Sequence, residues 1–153
     1  MTIQDRLNSL GITLPEVSVP AAAYVPYART GSLVFLSGHI AKQAGKTWVG
    51  QLGLNMDTAT GQAAARAVAI DLLGTLQAAA GGDLGRVKRI VKVLSLVNSS
   101  PTYTEQHIVT NGCSELLVAV LGKDVGSHAR SAFGVAQLPM GACVEIELTA
   151  ELA

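Results

Sequence analysis

Charge is scarce in this chain, and it balances. Acidic and basic residues together make up 14% of 153 residues, with a formal net charge of zero. A neutral surface exerts no long-range pull on a phosphate backbone, so nucleic acid is not an expected partner. Cysteine is almost missing as well: Cys113 and Cys143 stand alone, without a Cys-x-x-Cys or Cys/His cluster. That excludes a disulfide framework and a structural metal site, and predicts two reduced, buried thiols in a cytoplasmic protein. No apolar run approaches the roughly twenty residues a membrane helix needs, and the opening Met1-Thr2-Ile3-Gln4-Asp5-Arg6 lacks the layout of a signal peptide, so neither membrane nor export is expected. Gly-x-Ser-x-Gly is absent too, which leaves no nucleophile elbow, and Gly81-Gly82-Asp83-Leu84-Gly85 is no phosphate loop, since it lacks a Gly-Lys-Ser/Thr ending and follows a helix instead of a strand.

Apolar residues are plentiful at 49%. A chain of this length buries roughly 68–70% of its unfolded surface in one core, and so little polar residue to cover the outside points to self-association.

Hydrophobic spacing gives the elements. Thr2 to Leu10 forms a short amphipathic helix ending at Gly11, and Pro15 and Pro20 mark an extended segment; residues 1–20 are read as an N-terminal extension and 21–153 as one domain. Two short strands, Ala22 to Ala28 and Ser32 to Ser37, flank Thr30-Gly31. A loop from Lys42 to Lys46 leads to a brief strand around Trp48. Thr58 to Ala80 is a helix capped by Asp57 or Thr58 and ended by Gly81-Gly82. Val87 to Val97 is a central strand with both faces covered. The next helix starts at Ser100-Pro101 or at the Thr102–Glu105 capping-box spacing, buries Val109, Cys113, Leu116, Leu117 and Val120, and stops at Gly122. Strands Arg130 to Gln137 and Ala142 to Leu152 close the chain. The order predicts an α+β layer, one mixed six-stranded sheet with two helices on one face. Its last strand puts Glu145, Glu147, Thr149 and Glu151 on the bare side.

Arg130 and Glu145 carry the chemistry. Arginine is a permanent cation with a fork of donors matched to carboxylates, and a glutamate among apolar neighbours can have its pKa raised into the range of proton transfer. A turn at Leu138-Pro139-Met140-Gly141 lies between their strands, which are therefore expected side by side. Together they suggest a pocket for small organic acids. The bland alternatives are an ion pair of Arg130 with Glu147 or Glu151, and a solvated strand face for Glu145. His39 is read first as a hydrogen-bonded structural residue.

Three stretches carry a resemblance: Thr30-Gly31-Ser32-Leu33-Val34-Phe35-Leu36-Ser37-Gly38-His39; Leu72 to Val97 around Ala80-Gly81-Gly82; and His128-Ala129-Arg130-Ser131 through Leu138-Pro139 to Val144-Glu145-Ile146-Glu147. Together they resemble the YjgF/Rid family, the reactive intermediate deaminases also called endoribonuclease L-PSP proteins. The resemblance implies a chorismate-mutase-like fold assembled as a homotrimeric barrel with clefts between subunits. It implies hydrolysis of 2-imino acids or their enamine tautomers to 2-oxo acids and ammonia, with no cofactor and no metal. It places the carboxylate-binding arginine at Arg130, the catalytic glutamate at Glu145, the cleft asparagine at Asn111 and a pocket tyrosine at Tyr27. It adds His39 and Ala132 to the substrate-binding positions, where many members carry glutamine and cysteine. A non-catalytic sensor or chaperone-like module binding small carboxylates on the same fold is the alternative.

Overall fold

A computed structural model describes residues 1–17 and 23–153, so the start expected for the first strand at Ala22 lies outside the described residues. Helix α1 (Ile3–Ser9) begins in a reciprocal capping box, where the Thr2 hydroxyl accepts from the Asp5 amide and the Asp5 carboxylate accepts from the Thr2 amide. It joins the body of the protein: Leu7 and Ile12 enter the common core, and Arg6 donates to the Val120 carbonyl.

Strands β1 (Tyr27–Thr30) and β2 (Leu33–Leu36) form a hairpin as expected, but β1 starts at Tyr27 and runs to Thr30, and residues 23–26 before it are not strand. A short β3 (His39–Ile40) follows. The Lys42–Lys46 segment is a small hairpin where a loop was expected, β4 (Lys42–Gln43) with β5 (Lys46–Thr47). Ala44 and Gly45 both take left-handed φ there, as a tight two-residue turn demands. Helix α2 (Thr58–Ala79) is capped by the Asp57 carboxylate, which accepts from the Thr60 amide. Strand β6 (Val87–Asn98) and helix α3 (Gln106–Leu121) follow, then a single turn α4 (Lys123–Gly126), and β7 (Ala129–Val135) and β8 (Val144–Leu152) close the fold.

The six-stranded mixed sheet runs β1-β2-β8-β6-β7, with β3 also pairing β8. This corrects one expectation: the strands of Arg130 and Glu145 are not side by side, because β6 lies between them, parallel to β7 and antiparallel to β8. The connection through Pro139 is an arch over β6, not a hairpin turn. Helices α2 and α3 pack on one face, over Val93, Val97, Val144, Ile146 and Leu148. The other face is uncovered in a single chain, so β6 is buried on one side only; Leu94 and Leu96 are half-buried, and Val91, Phe35 and Phe133 are exposed. The start of α3 also differs. Neither proposed cap operates, because the Glu105 carboxylate instead accepts from the Thr58 hydroxyl, which also bonds the Tyr103 hydroxyl.

Candidate active site in two half-sites

Pairing with β8 sets up the first half-site. Phe35 opposes Thr149 whereas His39 opposes Ile146, so the register moves by one residue between β2 and β3. An extra residue at Leu36–Gly38 bulges the strand and opens the sheet edge, a device that re-aims side chains beside functional sites. A cleft of about 210 Å³ lies there, lined among others by Tyr24, Gly38, His39, Lys42, Asp71 and Glu145. Gly38 lies directly beneath the glutamate: a Cβ at this position would come within 2.5 Å of Glu145 Oε2. Its bareness lets the carboxyl group lie against the backbone.

Glu145 is half-buried, and desolvation followed by repulsion from Glu147 raises its pKa. The sign of the linkage follows. A carboxyl whose native pKa exceeds its unfolded value near 4.5 favours folding most at pH below that value, and this contribution is lost as pH rises through the native pKa. Replacing the charge with a neutral amide, Glu145→Gln, is expected to raise Tm at pH 8 and to leave it unchanged at pH 4. Thermal melts at the two pH values check this.

His39 has a partner within the chain at each ring nitrogen. Its Nδ1 lies 2.6 Å from the Ser37 carbonyl, which can only accept, so Nδ1 carries the proton. Nε2 then accepts from the buried Thr75 hydroxyl at 2.7 Å, and burial lowers the pKa of the ring. Both nitrogens are engaged and the imidazole is neutral.

The second half-site is built on α3 and β7. Arg130 Nη1 donates to Asn111 Oδ1 at 2.9 Å and to Ser114 Oγ at 3.2 Å, and Nη2 donates to the His107 carbonyl. His128 fixes Ser114 in turn: its Nδ1 donates to the Gly126 carbonyl, so Nε2 accepts the Ser114 hydroxyl proton at 2.9 Å. Every partner is neutral, and the alternative ion pair with Glu147 or Glu151 does not form; Glu151 instead faces Lys88. Of the five guanidinium donors, Nε–H and one Nη2–H lack a partner among the described residues, which is a fork that a carboxylate can fill.

The two half-sites do not meet within one chain. Arg130 pairs with Val93 of β6 and Glu145 with Leu96. Residues an odd number apart on a strand point to opposite faces, and two strand spacings with three residues of rise put the Cα atoms about 14 Å apart. Arg130 therefore sits on the helix side and Glu145 on the open side.

The family model described as "YjgF/chorismate mutase-like, putative endoribonuclease" matches residues 4–152. The chain belongs to the YjgF/chorismate-mutase-like family. Protein TCP17 of Trypanosoma cruzi is 50% identical over 151 residues, covering 98% of this chain and 94% of TCP17. Among solved structures, Atu1372 of Agrobacterium tumefaciens, a protein of unknown function, superposes with a TM-score of 0.90 at 40% identity, covering 99% of this chain and 94% of the other. A "putative endoribonuclease" of Shewanella oneidensis superposes with a TM-score of 0.93 at 31% identity, covering 99% and 100%.

The site residues of this YjgF-family chain divide as follows. Asn111 and Arg130 come together, with Ala132 on the same face of β7 and two residues along. Glu145 and His39 come together in the cleft beside the bulge, apart from that group. Tyr27 pairs with buried Leu36 and packs against the core, and the tyrosine lining the cleft is Tyr24. Three further residues escaped sequence reasoning, Lys42 and Asp71 in the cleft and Ser114 behind Arg130; His128, which holds Ser114, stood out only as part of the His128-Ala129-Arg130-Ser131 stretch. Ser114 was signalled only by lying one helical turn after Asn111. Burial raises the thiols of Cys113 to about 12 and Cys143 to about 11, so both remain protonated and take no part. Among the described residues no three His, Cys, Asp or Glu side chains form a metal cluster, and no helix is long and apolar enough to cross a membrane.

Proposed function

We propose that this protein is a homotrimeric hydrolase of small 2-imino acids, working without a cofactor at clefts between subunits. One observation carries the reading. A guanidinium fork free for a carboxylate and a carboxyl group with a raised pKa point to opposite faces of one sheet, so they can serve one ligand only when they come from different copies of the chain. The uncovered face, with Phe35, Phe133, Leu94 and Leu96, supplies apolar surface for that assembly.

In such a cleft the Arg130 fork holds the substrate carboxylate and orients the C=N carbon. Glu145 of the neighbouring copy takes a proton from water as the oxygen attacks that carbon, and passes it to the nitrogen. The carbinolamine hydroxyl then gives its proton through the same carboxyl group to the amino nitrogen, and the C=O bond forms as the C–N bond breaks, releasing ammonia and a 2-oxo acid. General acid–base assistance of this kind contributes typically about 10²–10⁴ in rate. The imine hydrolyses slowly unaided, so this is sufficient.

The test generates 2-iminobutanoate in situ and follows its disappearance. Wild type should accelerate the loss, Arg130→Ala should lower kcat/KM by about a hundredfold or more through the loss of two charge-assisted hydrogen bonds, and Glu145→Gln should act mainly on kcat. Binding of 2-oxobutanoate without acceleration would instead select a small-carboxylate sensor.

A further inference from the structure

Two charged groups in the cleft remain unused by that mechanism. Asp71 reaches it from α2 and Lys42 from the start of β4, and both are half-buried. They lie close enough for the Lys42 charge to act on the Asp71 carboxyl. Yet among the described residues neither group makes a hydrogen bond, nor do the two form an ion pair with each other or with any other side chain; the one ion pair described joins Lys88 and Glu151. A carboxylate and an ammonium held apart in a shared recess are complementary to a third group placed between them.

We propose that Asp71 and Lys42 form a subsite for the substrate side chain, selecting 2-imino acids that end in a neutral hydroxyl. The inference rests on the deaminase reading and names its substrate class. A hydroxyl donates its proton to Asp71 while its oxygen accepts from Lys42, satisfying both at once. A carboxylate in this place meets Asp71 and an ammonium meets Lys42, so each charged terminus gains one contact and suffers one repulsion. A methyl terminus leaves both polar groups desolvated and unpaired, and sites built to hydrogen-bond a hydroxyl reject the analogue lacking it. The cleft is also smaller than the roughly 300–1,000 Å³ of drug-sized sites, which suits a side chain of only a few atoms.

A matched pair of product acids tests this, because 2-oxo-4-hydroxybutanoate and 2-oxopentanoate differ by hydroxyl against methyl. Calorimetric titration of the assembled wild-type protein should show about tenfold tighter binding of the hydroxy acid. Asp71→Asn combined with Lys42→Met should bring the ratio of the two affinities close to one. Equal affinities in wild type, or a preference that persists in the double variant, would overturn the subsite while leaving the deaminase reading intact. If neither acid binds, both readings fall. If both bind with the expected preference but no imine is turned over, catalysis alone is refuted.

Discussion

Protein carrying Arg130→Ala and protein carrying Glu145→Gln, each nearly inactive alone, should regain roughly a quarter of wild-type imine hydrolysis when unfolded together and refolded as a mixture. The fraction follows from geometry. In the proposed assembly each cleft takes its guanidinium from one copy and its carboxyl group from the next, so it is intact only when the first copy is the glutamine variant and the second the alanine variant, with a chance of about one half for each in a random closed ring. The sheet register supports this reading: Arg130 sits beside Val93 and Glu145 beside Leu96, on opposite faces of the strand between them. A cleft assembled inside one chain would give no recovery at all. Activity of the refolded mixture no greater than the sum of the two parents would overturn the intersubunit site.

Much of the fold was legible because local chemistry and tertiary contacts agree. Asp57 caps α2 through the Thr60 amide, Gly122 ends α3, and the alternation of β8 separates Val144, Ile146 and Leu148 from the glutamates as the pleat requires. Strand order was not legible, since alternation states which face is buried and says nothing about which neighbour is paired. That is why the arch from β7 over β6 to β8 was mistaken for adjacency. The start of α3 failed for a different reason: Glu105 has the spacing of a capping box, but a distant hydroxyl, Thr58, claims its carboxylate.

The site was readable to the same degree. Arg130 with Asn111 and the glutamate strand stand out as residue types, and the structure brings the first two to 2.9 Å. Tyr24 and Tyr27 could be told apart only by hairpin register, which turns Tyr27 toward the core beside Leu36. Asp71 had no signal in sequence, because a lone acidic residue beside the buried stripe Val68, Ala69, Leu72, Leu73 resembles any solvated helix position. Its place in the cleft depends on the bulge at Leu36–Gly38, which no local pattern announces.

The second large effect is on stability, and it comes from the contact that orients the Asn111 helix. Gly112 lies where α3 crosses α2, so close that a Cβ there would overlap the Gln62 backbone carbonyl. The Gln62 side chain also crosses the contact to donate to the Ile108 carbonyl at 3.0 Å. A backbone atom cannot rotate away as a side chain can, so a larger residue must force the helices apart. Overpacking of this kind costs about 1–3 kcal/mol or more, partly offset by the roughly 0.5–1 kcal/mol gained when glycine leaves a helix interior. Gly112→Val combines the clash with a branched side chain, and a net loss of about 2 kcal/mol should lower Tm by roughly 4–8 °C for a chain of this size. Ala119→Val, two turns along the same face of α3 at an exposed position, introduces the same side chain without the clash and should change stability by no more than about 0.5 kcal/mol. Equal melting temperatures for the two variants would show that α2 and α3 can separate freely. In that case Asn111, one residue from the crossing, could not be what holds the Arg130 fork in place.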